Sequence, residues 1–200
     1  MRTIFVDVDT QLDFVVPAGA LYVPGSELLA GNWQTLTRFA ASNGLTIIST
    51  MCAHSENDPE FQIWKPHCVA GTSGQQKLAC TVVDKRYTLS TAVKEFDADA
   101  ASAAQQILVE KLDVDFTNPN LPPLLDLFGQ SQFVIYGVAT EVCVWYAALR
   151  LLERGAQVKI VSDAIRALSS EAGIAAINGL IAKGAQLATT AQIATEQATR

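Results

Sequence analysis

Short, unbroken apolar runs alternate with segments of helical period along this chain. Thr3–Val8 opens it as a β-branched run, the pattern of a strand buried on both faces of a parallel sheet, ending at Asp9. A loop with Pro17, Gly19, Pro24 and Gly25 follows. Ser26 then stands as a candidate N-cap for a helix carrying Leu28, Leu29, Trp33, Leu36 and Phe39, stopped at Asn43-Gly44. Further strands are predicted at Leu45–Thr50, Gln106–Glu110, Phe133–Tyr136, Val158–Val161 and Ala185–Ala188. Helices are predicted over Glu141–Glu153, closed by Gly155, and from Ser169 or Ser170 to Ile181. Strands alternating with helices predict an α/β fold of three α/β/α layers around a doubly wound, mostly parallel sheet. In such a sheet ligands bind beyond the carboxyl ends of the strands.

The stretch from Met51 to Lys77 breaks the alternation. It has little periodicity and scattered Pro, Gly, His and Asn, which marks a functional loop rather than a linker. The tail from Ala188 is polar and alanine-rich, and is expected to be loosely held. With 200 residues, half of them hydrophobic and 17% charged, the chain is read as one globular domain over 1–200. A net charge of -6 with no separate basic cluster argues against nucleic acid. No apolar run approaches the ~20 residues that span a bilayer, and no signal-peptide layout is seen, so the expected location is cytoplasmic. Cys52, Cys68, Cys80 and Cys143 are too few and too scattered for a disulfide framework, so reduced thiols are expected.

Three ionisable groups fall just past apolar runs: Asp9, Lys111 and, six residues beyond Gly137, Cys143. The strands that end at Asp9 and Lys111 are expected to be neighbours. A thiol reacts as thiolate and needs a base, a cation or a helix N-terminus, and a helix starting near Thr140 would give Cys143 the last of these. The alternative is a small buried hydrophobe between Val142 and Val144. The two histidines, His54 and His67, share the long loop with Cys52 and Glu60, donors that suit Zn²⁺ or another first-row metal; the spacing is not that of a zinc finger, and surface histidines would look the same. Cys68 and Cys80 have no evident partner and are read as structural.

Asp9-Thr10-Gln11-Leu12-Asp13-Phe14 resembles the DxQxDF opening of the isochorismatase-like cysteine hydrolases, and Gly19–Glu27 resembles the loop after it. Trp64–Gly74 resembles the WPxHCVxGTxG segment of the nicotinamidase (pyrazinamidase) branch, with the proline one place later at Pro66. Gly137–Val144 resembles the nucleophile motif, and Lys111 with Phe116 repeats a family spacing. These matches stand in family order from Phe5 to Asp163.

The resemblance implies a catalytic triad of Cys143, Asp9 and Lys111 that hydrolyses a carboxamide through a thioester. It implies an oxyanion hole at the Ala139 and Cys143 amides, with a cis peptide between Val138 and Ala139, and Phe14 and Trp64 flanking the substrate ring. It further implies a divalent metal that binds a pyridine nitrogen, held by His54, Glu60, His67 and, where the family has Asp, Cys52. A thiolate there favours Zn²⁺, with Mn or Fe as other candidates. The implied activity is conversion of nicotinamide to nicotinate and ammonia by a homo-oligomer. Alternatives are a hydrolase of another small amide or ureido compound, and a non-catalytic metal- or ligand-binding member.

Overall fold

A computed structural model of the protein describes residues 1–92 and 97–196. Seven parallel strands form one sheet: β1 (Arg2–Val8), β2 (Thr46–Cys52), β3 (Arg86–Leu89), β4 (Gln106–Lys111), β5 (Ser131–Val138), β6 (Gln157–Arg166) and β7 (Gln186–Ala188), in the order β3-β4-β2-β1-β5-β6-β7. Side-chain alternation in the central strand sends Ile4, Val6 and Val8 to one face and Phe5 to the other, which is why the opening run is apolar throughout. The first face is covered by α4 (Leu121–Phe128), α5 (Trp145–Glu153) and α6 (Ser170–Ala182), through Leu124, Phe128, Ala147, Leu151 and Leu180. The second is covered by α2 (Ala30–Ser42) and α7 (Thr190–Glu196), through Trp33, Leu36, Ala40 and Ile193. Two further helices, α1 (Leu12–Val15) and α3 (Ala98–Ala103), are short.

β1 lies between β2 and β5, and the chain leaves it in opposite directions, so the sheet's switch point falls at the carboxyl ends of β1 and β5. β1 and β4, by contrast, are not neighbours. β2 separates them, pairing Val8 with Thr50 and Cys52 with Lys111. The lysine's long stem spans that gap, which an adjacent-strand reading did not require.

Several predicted details are corrected. Ser26 is no helix cap; it begins a 3₁₀ turn (Ser26–Leu29), and its buried hydroxyl donates to the Phe14 and Val15 carbonyls at 3.1 and 3.3 Å. The Ala188 tail is held through α7, which buries Ile193 at 4% exposure and has Thr190 donate twice to Asp163 Oδ1; residues 197–200 of that tail lie outside the described residues. The Val138–Ala139 bond is trans, as is every peptide bond among the described residues. Here the chain turns at Gly137, with φ +126°. A Cβ at that glycine would lie 2.0 Å from the Val8 carbonyl oxygen, beside the switch point. Gly137→Ala is therefore expected to destabilise the protein by about 3 kcal/mol or more, since a positive φ and a backbone clash coincide; a denaturant midpoint unchanged from wild type would contradict this.

Candidate active site

Asp9 is the first residue past β1 and sits at φ +51°, strained for a non-glycine residue, which turns its carboxylate in over the strand ends. Lys111, the last residue of β4, is 2% exposed, and its Nζ lies 3.0 Å from Asp9 Oδ2. That ammonium also donates to the Asp113 carbonyl at 2.9 Å, to Cys52 Sγ at 3.2 Å and to Cys143 Sγ at 3.7 Å. Cys143 lies in a single π turn, Thr140–Val144, that leads into α5. The Ala139 carbonyl closes this turn by accepting from the Val142 and Val144 amides, both at 3.1 Å. π turns of this kind often accompany functional sites.

Electrostatics define the resting state of the three groups. Burial pushes the Asp9 carboxyl up, but the Lys111 ammonium, the Thr50 hydroxyl and the Cys143 thiol outweigh it and hold the group below the usual carboxylate range. Burial alone would lower Lys111; Asp9 and the two thiols reverse this and hold it well above the usual lysine range. Cys143 is pushed well up by burial, against the pull of Lys111. The resting arrangement is carboxylate, ammonium and a thiol with its proton acceptor alongside.

A cavity opens onto these groups. Phe14 and Trp64 line it, as do Ala139 and Cys143, together with Leu21, Val23, Val114, Val142 and Leu168, which sequence reading left among ordinary packing residues. Lys111 is the sole lysine or arginine among its lining residues.

The second cluster borders this cavity. His54 and the segment after His67 are drawn together by backbone pairing: the His54 amide donates to the Cys68 carbonyl at 3.2 Å, and Ala70 returns a bond to the His54 carbonyl at 2.8 Å. The imidazole centroids are 4.7 Å apart, and Cys52 Sγ joins donor atoms of His54 and His67 that all lie within 4.8 Å of one another. Gln11 anchors Cys52, its side-chain amide bonding both the Cys52 N–H (2.7 Å) and carbonyl (2.8 Å).

Glu60 Oε2 lies 3.5 Å from His54 Nε2, with burial pushing its carboxyl up to about 7. Asp58 Oδ2 sits 3.2 Å from His54 Nδ1; sequence reading missed this residue, though Asp58-Pro59 is a helix N-cap signature. His67 Nδ1 faces the Lys65 carbonyl at 2.7 Å, directing Nε2 elsewhere. His54 Nε2 and Glu60 Oε2 are buried without a hydrogen-bond partner, a cost that a bound cation would remove. The donor set fits a metal ion.

The isochorismatase domain family model matches residues 3–192. The chain belongs to the isochorismatase family. Within it, the chain is 27% identical to the nicotinamidase of Saccharomyces cerevisiae over 203 residues, covering 86% of this chain and 90% of the yeast protein. The structure of the pyrazinamidase of Pyrococcus horikoshii in complex with zinc aligns with a TM-score of 0.75 at 27% identity, covering 94% of this chain and 99% of that one. An isochorismatase-like hydrolase from Alkaliphilus metalliredigens, 22% identical, shares the fold over both full lengths with a TM-score of 0.80. This isochorismatase-family chain thus stands among hydrolases, with nicotinamidase and pyrazinamidase relatives. None of its described helices is long and apolar enough to cross a membrane.

Proposed function

We propose that the protein is a nicotinamidase-like cysteine amidohydrolase that converts nicotinamide to nicotinate and ammonia. The observation that carries this reading is the meeting of three strand ends on one thiol: Lys111 Nζ stands 3.0 Å from Asp9 Oδ2 and 3.7 Å from Cys143 Sγ. Asp9 takes the thiol proton as Sγ bonds to the carboxamide carbon, and the Ala139 and Cys143 amides receive the developing oxyanion. Lys111 holds the Asp9 carboxylate in place and favours the negative sulfur as it forms. Asp9 then returns the proton to the amine, the C–N bond breaks and ammonia leaves. Water activated by Asp9 cleaves the thioester, releasing the acid and restoring the thiol.

Cys52, His54 and His67, with Glu60 beside them, would hold a divalent ion, which when bound supplies a Lewis acid for the ring nitrogen. Asp58 orients the His54 ring, a second-layer role common around metal ligands. A thiolate in the donor set favours Zn²⁺. Elemental analysis of protein purified without added metal is expected to find zinc near one per chain in the wild type and loss of most of it in His54→Ala and Cys52→Ala. A wild type free of metal yet fully active on nicotinamide would exclude the ion from the reaction.

The charge of the cavity favours a neutral ring amide over a ureido acid. Its sole lysine or arginine is already paired with Asp9, so no side-chain cation is left for a substrate carboxylate, which would have Glu60 beside it. Phe14 and Trp64 offer ring faces instead. An ammonia-release assay is expected to show turnover of nicotinamide and pyrazinamide, with ureido acids at least about 100-fold poorer in kcat/KM because no free side-chain cation would pair their carboxylate. Release from ureido acids alone would overturn the assignment. The same reading expects a reduced, cytoplasmic homo-oligomer of one-domain chains.

A further inference from the structure

We propose that Thr50 is a positioning residue that sets which oxygen of Asp9 faces the thiol; this rests on the reading of Asp9 as the proton acceptor. Thr50 lies one strand away from Asp9, opposite Val8 in the β1–β2 register, and is 1% exposed. Its hydroxyl lies 3.2 Å from the Asp9 amide nitrogen and 2.6 Å from Asp9 Oδ1. The amide can only donate. The hydroxyl oxygen therefore accepts from it, and the single hydroxyl proton is left to point at Oδ1. One group in this way grips both the backbone and the side chain of a residue held at φ +51°.

The consequence is a division of labour between the two carboxylate oxygens. With Oδ1 held by Thr50, Oδ2 is the oxygen 3.0 Å from Lys111 Nζ, on the side where the same ammonium meets Cys143 Sγ. The hydroxyl is itself fixed from behind. The Thr50 carbonyl accepts from Lys77 Nζ at 3.1 Å and from the Asp9 amide at 3.3 Å, and Lys77 is anchored by Asp7 Oδ2 at 3.0 Å. Asp7 in turn accepts from Ser49 at 2.9 Å and from Thr10 at 2.8 Å. This second buried ion pair takes no part in the hydrolysis proposed above. Its place behind Thr50 gives it a role, which is to keep the end of β2 from shifting under the catalytic carboxylate.

Thr50→Val keeps the shape of the side chain and removes its only donor, whereas Thr50→Ser keeps the donor and loses a methyl group. Crystal structures of the wild type and both variants are the primary test, since they need no substrate. The expected result is that the Asp9 carboxylate rotates off Lys111 in Thr50→Val and keeps its place in Thr50→Ser. In the ammonia-release assay kcat should fall by about 10- to 100-fold in Thr50→Val with KM little changed, and recover in Thr50→Ser, because misplacing one reacting group costs rate more than binding. An unrotated Asp9 in Thr50→Val, or a serine variant as impaired as the valine one, would overturn the proposal. Should the valine variant not fold, Thr50→Ala carries the same expectations. If the wild type hydrolyses no carboxamide, the amidase reading fails while the crystallographic result still decides the role of Thr50.

Discussion

Cys143→Ala is expected to bring ammonia release from nicotinamide down to the uncatalysed background while leaving the thermal midpoint within a few degrees of wild type. The loss is complete because the other thiols are engaged elsewhere: Cys52 belongs to the donor cluster with His54 and His67, Cys68 is buried with its amide bound to Asp13 and its thiol pushed well up by burial, and Cys80 lies 3.6 Å from the Ala30 carbonyl, on the side of α2. The fold should survive because alanine is a good helix former that fits wherever a cysteine side chain does. The resting thiol is protonated, so the variant also removes the proton that Asp9 receives. The measurement is ammonia release under substrate saturation beside a melting curve. A variant retaining even a tenth of the wild-type rate would rule out nucleophilic catalysis by Cys143.

Asp9→Asn is expected to lower kcat by about 100-fold or more, the usual scale of a lost general base. The amide oxygen can still face Lys111, but it cannot take the thiol proton at neutral pH. A second consequence follows from burial. Lys111 loses its principal counter-ion, and removing one partner of a buried ion pair costs about 3–5 kcal/mol, so this variant should also melt well below wild type. Rate per folded molecule, taken below the transition, separates the two effects. A near-normal rate would mean that some other group accepts the proton, and an unchanged melting curve would mean that Lys111 is not held by Asp9.

The parallel sheet was readable because β-branched apolar runs such as Thr3–Val8 and Phe133–Tyr136 have no other way to bury both faces. The elements that escaped sequence reading are those whose burial comes from neighbours. Strand β3, Arg86–Leu89, is an edge strand with one fully buried residue, Leu89, and so carries no apolar run. Helix α4 begins with Pro122 and Pro123, which read as breakers in isolation but are tolerated in a first turn, where the amide hydrogens have no helical partner. Helix α7 has alanine and polar residues around a single deep anchor, Ile193.

At the site, the ends of apolar runs and the irregular loop drew attention to Asp9, Lys111, Cys143 and the Cys52, His54, Glu60 and His67 donors, and only the family resemblance of the motifs around them gave them roles. Tertiary structure decided how they meet. Only the sheet order shows that Lys111 must cross the end of β2 to reach Asp9, and so passes 3.2 Å from Cys52, linking the triad to the donor cluster through one ammonium. Only packing shows Asp58 against His54 and Thr50 against Asp9, since a threonine inside a β-branched strand looks like any other. The upward push of burial on the Cys143 thiol lay still further out of reach. It depends on a balance between burial and a neighbouring charge, both set by residues distant along the chain.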